Sequence, residues 1–282
     1  MTTFIRLEQY CLIEATGDEA EKYLQGQLTT DVCQLRDGQS TLTAHCDPQG
    51  KVTSIFRLIR LNRHRFFLLI KRALLPSALA ALKKYAVFSK IVFQPLDWQL
   101  IGLVGKKCGQ IQAEFSIELP DERAILLHPT PLPVVFNGSV AQWEYLDIQA
   151  GLPNLSPQTQ NLFIPQALNL QVIEQAISFS KGCYIGQETV ARAKYRGANK
   201  RALFNLKSDS ADGREYCPEL GTGIEMQLES QWRKTGTIIS AVNIDHVLWL
   251  QVVMNNDIQL DMPLRLPQNG AALTIQPLPY VL

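Results

Sequence analysis

The residues best equipped for chemistry lie together in "KGCYIGQETVARAKYRGANKR", residues 181–201. Cys183 stands between Gly182 and Tyr184, and Gly186, Gln187 and Glu188 follow it. Six cations (Lys181, Arg192, Lys194, Arg196, Lys200, Arg201) face one acid, Glu188, a net charge of 6 − 1 = +5 in a chain whose total is +1. The remaining sequence therefore carries 1 − 5 = −4, so the positive charge is placed locally. "GQETVARAK" is helix-compatible, which sets Cys183 at or just before a helix N-terminus. Free N–H groups there, with Arg192 and Lys194, favour a thiolate, the reactive form of cysteine. The same groups suit a carboxylate or phosphate, and Gly182 and Gly186 allow tight turns and close approach of a ligand. Each feature also has a plainer reading. An isolated cysteine is commonly a small buried hydrophobe, and a basic run is commonly a solvated helix face.

The other cysteines are Cys11, Cys33, Cys46, Cys108 and Cys217; no two of the six share a C-x-x-C spacing, and His45, His64, His128 and His246 form no cluster. No self-contained zinc or iron–sulfur site is expected from this pattern. Unpaired thiols fit a reducing compartment. With no cationic-then-apolar leader and no apolar run near the ~20 residues a membrane span needs, a soluble cytoplasmic chain is expected. No heptad or broad apolar stripe announces a dimer, so a monomer is expected. The near-zero net charge excludes whole-surface attraction to nucleic acid or membrane.

At 282 residues, 46% hydrophobic and 19% charged, the chain can bury a sizeable core and should divide into two or three packed units. "TGDEAEKYLQGQL" (16–28) reads as a short helix capped by Asp18 and stopped at Gly26. "KVTSIFRLIRL" (51–61) and "RFFLLIK" (65–71) read as a hairpin, and "LPSALAALKKYAVF" (75–88) as a helix. Strands are expected at 98–105 and 123–129, with a helix-compatible segment at 106–115 between them. "SVAQWEYLDIQAGLP" (139–153) reads as a helix closed by Gly151 and Pro153, followed by a polar connection over 154–165. After about residue 203 every signal is strand-like, which predicts a terminal β-barrel or sandwich.

The 181–188 stretch closely resembles the K-G-C-Y-x-G-Q-E signature of the YgfZ family. That family comprises folate-binding proteins linked to iron–sulfur enzymes and tRNA modification. "EKYLQGQLTTDV" (21–32), "LKKYAVFSK" (82–90) and "VVMNND" (252–257) are similar to further family stretches, so the resemblance covers nearly the whole chain. The wider superfamily is that of the glycine-cleavage T-protein, a tetrahydrofolate-dependent aminomethyltransferase. The resemblance implies an α+β, three-domain T-protein-like fold around a central opening, with antiparallel sheets, packed helices and a C-terminal β-barrel. The implied division is an N-terminal domain of 1–44 plus 138–198, a ferredoxin-like α+β domain over 45–137, and a barrel over 199–282.

Residue by residue, the family's aromatic folate contacts map onto Tyr10 and Trp143, although Trp143 also reads as a packed helix residue. Lys181, Gly182, Tyr184, Gly186, Gln187, Glu188 and Arg192 complete the implied cofactor-binding set. Cys183 stands where T-proteins carry an aspartate. Two departures weaken the likeness to the enzyme. Thr53 and Ser54 stand where the T-protein's catalytic carboxylate is needed, and "IPQALNL" places Ala167 where many relatives have an acid that would anchor a pterin. Orientation of a pterin would then fall to backbone groups or Gln166.

The function so implied is a non-catalytic factor that binds tetrahydrofolate or another folate and supports assembly or repair of iron–sulfur enzymes. Enzymes that thiomethylate tRNA are among the implied clients, and Cys183 is the implied working thiol. The alternatives are a folate-dependent one-carbon transferase and a direct tRNA-binding module. The single basic stretch, with Tyr184 and Tyr195 as its aromatics, argues less for the second.

Overall fold

A computed structural model describes residues 2–105, 113–209, 216–259 and 261–282. In chain order its elements begin with β1 (Thr3–Arg6), β2 (Tyr10–Thr16), α1 (Ala20–Gln27), β3 (Ser40–Cys46), β4 (Val52–Asn62) and β5 (Arg65–Lys71). α2 (Leu75–Lys84), β6 (Val92–Leu96), β7 (Gln99–Val104), β8 (Phe115–Leu119), β9 (Arg123–His128), α3 (Val140–Gln149) and α4 (Gln187–Tyr195) follow. The last third holds β10 (Arg201–Asp209), β11 (Ile224–Leu228), β12 (Gln231–Thr235), β13 (Thr237–Ile244), β14 (Val247–Asn255), β15 (Leu264–Arg265) and β16 (Ala272–Gln276). No helix among the described residues is long and apolar enough to cross a membrane.

The strands form three antiparallel sheets: a five-stranded one in the order β3-β4-β5-β2-β6, a four-stranded one in the order β1-β7-β9-β8, and a seven-stranded one in the order β12-β11-β15-β16-β10-β14-β13. The fold is thus mixed α and β with a strand-rich C-terminal part. Alternation along β2, β4 and β5 gives the five-stranded sheet two buried faces. Ile13, Phe56, Leu58, Phe66, Leu68 and Ile70 pack under α1, α2 and the 163–176 segment. Leu12, Ile59, Phe67 and Leu69 face the four-stranded sheet and Trp143 of α3.

The edge strands of the seven-stranded sheet, β12 and β13, are consecutive in the chain and joined through Gly236, whose φ is +59°. A left-handed kink of that kind lets one run of chain turn a barrel corner, and glycine is the residue that adopts it without strain.

Several expected boundaries shift. The cut at 44/45 falls inside β3, and residues 10–16 pair with 65–71 and residues 12–16 with 92–96, while 3–6 pair with 101–104. Residues 1–44 and 45–137 therefore share both N-terminal sheets, and the 45–137 segment is not a self-contained ferredoxin-like unit. Hydrophobic alternation locates strands but says nothing about their partners. Asp18 does not cap α1; Glu19 occupies the N-cap without a side-chain bond, and the helix runs through Gly26 to Gln27. The helix expected at 106–115 lies mostly outside the described residues, and its last residue, Phe115, opens a strand.

Candidate functional site

A cleft open to solvent, with about 60 Å³ of room for water-sized molecules, lies between the five-stranded sheet, the four-stranded sheet and α3. Its walls follow from strand alternation. Ile55 and Arg57 on β4, and Leu69 and Lys71 on β5, point to the same side as Tyr10 at the start of β2. α3 adds Trp143 and Asp147, one helical turn apart, and the chain leaving the helix adds Asn154. Ser139 starts α3 with its side chain accepting from the Gln142 N–H, so the helix is fixed at its entry.

The polar groups of the cleft are largely paired. Tyr10 donates its hydroxyl to Asp147 Oδ2 at 3.0 Å, and Arg123 donates to Asp147 Oδ1 at 2.8 Å and to Asp121 at 2.7 Å. Burial, then the adjacent Asp147 carboxylate, pushes the Tyr10 phenol well above its ordinary pKa, so it stays a donor. Lys71 donates to Glu144 at 3.0 Å and lies 4.5 Å from the centre of the Tyr10 ring. Arg57 grips Glu174 with two hydrogen bonds, at 2.8 and 3.2 Å. One donor of the lining is left over: Asn154 Nδ2 is buried with no partner among the described residues. Such a group costs about 1–3 kcal/mol while unpaired, and an acceptor entering the cleft would relieve that cost.

Trp143 is a core residue. It is 1% exposed, with Arg123 4.5 Å from its ring centre, and a Cβ on Gly102 would lie only 2.5 Å from its ring. It forms a wall of the cleft rather than an open face on which an aromatic ring could stack. Tyr10 is half-buried and remains the more accessible aromatic.

The signature residues lie elsewhere. Lys181 is buried, and its ammonium donates to three carbonyls: Gln25 at 2.5 Å, Leu28 at 2.8 Å and Thr30 at 2.7 Å. All three protons are used to tie down the end of α1, so Lys181 offers nothing to a ligand. Burial lowers its pKa to about 8. Gly186 precedes α4 with φ +82°, and a Cβ there would sit 2.6 Å from the Asp47 carbonyl and 2.8 Å from Gly50 Cα. Its glycine is required by contact with the β3–β4 turn, not by approach of a ligand. Tyr184 is buried, which pushes its phenol up, and Gln187 is half-buried. Gly182, Cys183, Glu188 and Arg192 are exposed.

Cys183 is four residues ahead of the first residue of α4 rather than at its N-terminus, and Arg192 and Lys194 belong to the last turn of that helix. Arg192 is five residues beyond Gln187, ~7.5 Å along the axis. None of the signature residues lines the cleft. Their loop meets the β3–β4 turn at Gly50, and the cleft begins at Ile55, roughly 15 Å further along the chain.

The departures from the enzyme pattern have local structural roles. The Thr53 hydroxyl donates to the His45 carbonyl at 3.0 Å and accepts from His45 Nδ1 at 2.7 Å. Ser54 and Ala167 are buried. Gln166 is no pterin anchor, because its Nε2 donates to the Val190 carbonyl of α4 at 2.6 Å and it does not line the cleft. Sequence reading missed Arg57, Lys71, Asp147, Asn154 and Arg123. Only Asp147 carried a signal, its place four residues after Trp143. Among the described residues no group of three His, Cys, Asp or Glu side chains is arranged to hold a metal ion.

Comparison with known proteins bears on this geometry. Residues 199–269 match the family described as YgfZ, beta-barrel domain. The tRNA-modifying protein YgfZ of Photorhabdus laumondii is 41% identical over 310 residues, covering 99% of this chain and 93% of that protein. The chain belongs to the YgfZ family. The YgfZ protein of Yersinia pestis (strain Pestoides F) is also 41% identical, over 313 residues with the same coverage. A Haemophilus influenzae protein described as uncharacterized is 63% identical over 280 residues, 99% of each chain. Among solved structures, the glycine cleavage system aminomethyltransferase T of Bartonella henselae superposes with a TM-score of 0.74 over 99% of this chain and 86% of that one, at 17% identity. At that identity the likeness establishes a T-protein-like fold for this YgfZ member and nothing finer.

Proposed function

We propose that this YgfZ member binds tetrahydrofolate or another folate in the cleft. In this reading it acts in tRNA modification by supporting iron–sulfur enzymes, with Cys183 as its accessible thiol. The observation that carries the reading is the cleft itself: a largely apolar space walled by Tyr10, Ile55, Leu69 and Trp143, with one unpaired buried donor, Asn154 Nδ2, in its lining. A pterin presents a flat ring and several acceptors, which suit Tyr10 and Asn154 Nδ2. Lys71 and Arg57 would meet an anionic tail only by sharing their present carboxylates. When bound, the folate would supply a one-carbon carrier or a reducing ring. The chain's own residues would hold it, orient it and exclude water.

The tRNA-modifying name of relatives 41% identical supports the tRNA-modification context. Aminomethyl transfer is disfavoured by Thr53 and Ser54, neither of which can hold a negative charge, and by the engagement of both Asp147 oxygens.

The reading is tested in cells that lack their own YgfZ and are complemented with this protein, by quantifying thiomethylated tRNA nucleosides. Wild type should restore them. Cys183→Ser, at an exposed position where stability should change by no more than ~0.5 kcal/mol, should not. Full restoration by a folded, abundant Cys183→Ser protein would remove the thiol from the account.

A further inference from the structure

The cations that follow the signature continue into a second structural feature that the sequence did not reveal. At the barrel corner, an open groove of about 410 Å³ is lined by Lys200, Arg201, Lys234, Thr235, Thr237 and Asn255 together with Gly236 and, near the end of β14, Val253 and Met254. The lining contains three cations, two hydroxyls and an amide, and no carboxylate. Its shape follows from the kink at Gly236. A Cβ there would lie 2.7 Å from Val252 Cγ1, so the chain turns tightly and leaves the corner open beside Lys200 and Arg201. Asn199 fixes that approach, donating to the Arg201 carbonyl at 2.7 Å and accepting from the Arg201 N–H at 3.2 Å.

Arg192, Lys194 and Arg196 of the preceding helix and turn are exposed, as are Lys200, Arg201 and Lys234. None of the six has a carboxylate within ion-pair distance among the described residues. The acid nearest in register, Glu225 opposite Lys234, is paired with Arg265 at 2.7 Å. Tyr195, 68% exposed, stands in the same stretch. Unpaired cations leave electrostatic work undone, and hydroxyl and amide donors beside them suit phosphate oxygens.

We infer that the groove and the exposed cations leading to it from α4 form a binding surface for the phosphodiester backbone of RNA. Contacts of this kind are sequence-independent and salt-sensitive, because each neutralised phosphate releases counterions. An exposed tyrosine beside them offers a stacking face for an unpaired base. The inference does not rest on folate, whose cleft shares no residue with the groove.

The test uses the full chain and bulk deacylated tRNA, with fluorescence anisotropy across roughly 50–300 mM NaCl. Wild type should bind at the low-salt end with log affinity falling linearly in log salt. The triple variant Lys200→Gln/Arg201→Gln/Lys234→Gln should weaken binding roughly 10–100-fold and reduce the slope by about 2–3. The control Lys22→Gln/Lys83→Gln/Lys84→Gln removes the same charge from exposed positions elsewhere and should change affinity less than about two-fold. Lys234→Gln alone, remote in sequence from α4, should show a part of the loss. An unchanged thermal melt and unchanged tetrahydrofolate binding would show that the triple variant is folded. Equal affinity of triple variant and control would overturn the inference, as would no tRNA binding by wild type at low salt. So would displacement of tRNA by poly-L-glutamate at equal charge concentration, which would mark the groove as a seat for an acidic protein.

Discussion

His45 sits 4% exposed on β3, with Nδ1 on the Thr53 hydroxyl and Nε2 without a partner among the described residues. Burial lowers its pKa to about 4. The unfolded chain, with a histidine pKa near ~6.5, therefore takes up the proton first. The stabilisation is whole above about pH 6.5 and is lost as pH falls from there toward 4. A shift of that size corresponds to about 3 kcal/mol. Glu174, held low by Arg57 against the opposing effect of burial, acts with the same sign but only below about pH 4.5. Urea denaturation of His45→Gln between pH 6.5 and 5 should show a flatter stability profile than wild type, whatever the substitution costs at neutral pH. Parallel profiles would show that His45 is not buried neutral. Lys181 belongs to the same scale. The family resemblance implied a cofactor-binding role for it, but three carbonyls claim its protons. No one-dimensional pattern distinguishes a lysine that snorkels to water from one that caps a helix end inside the protein.

Among the elements, α4 and the β3–β4 turn depend on two glycines in contact. Gly50 and Gly186 have φ +79° and +82°, and a Cβ on Gly50 would meet Thr189 Cβ at 2.6 Å. Gly186→Ala should destabilise by about 2–4 kcal/mol, combining left-handed strain with overpacking, as read by thermal or urea unfolding. A loss below ~0.5 kcal/mol would mean that the turn has room to move. The element level was the most legible part of the sequence. The β4–β5 hairpin, α3 with its Ser139 start, and the C-terminal strands were all visible as periods of two or 3.6 residues bounded by polar or glycine signals. What stayed hidden was pairing. β2 joins β5 and β6 across more than fifty residues, and β1 joins the four-stranded sheet, because apolar alternation on each strand satisfies many partners equally. The cleft was half legible for the same reason. Tyr10 and Trp143, to which the family resemblance pointed, line it, whereas Arg57, Lys71 and Asn154 reach it only through that pairing and through the chain's exit from α3.

Across the whole molecule, the barrel and the N-terminal sheets are joined by buried polar contacts rather than by a linker. Asn169, fully buried, bonds both the carbonyl and the N–H of Leu203, and Gln251 donates to the Leu152 carbonyl at 2.9 Å. The cleft's exit segment, 152–155, is therefore held by the barrel as well as by α3. Folate is proposed to enter this cleft and not the signature loop. The measurement that tests it most directly is anaerobic titration calorimetry with tetrahydrofolate, comparing wild type, Ile55→Trp, which fills the cleft from β4, and Cys183→Ser. Wild type and Cys183→Ser should bind saturably, and a folded Ile55→Trp should bind at least ten-fold more weakly. Undiminished binding by Ile55→Trp, or no binding by wild type up to millimolar ligand, would contradict it.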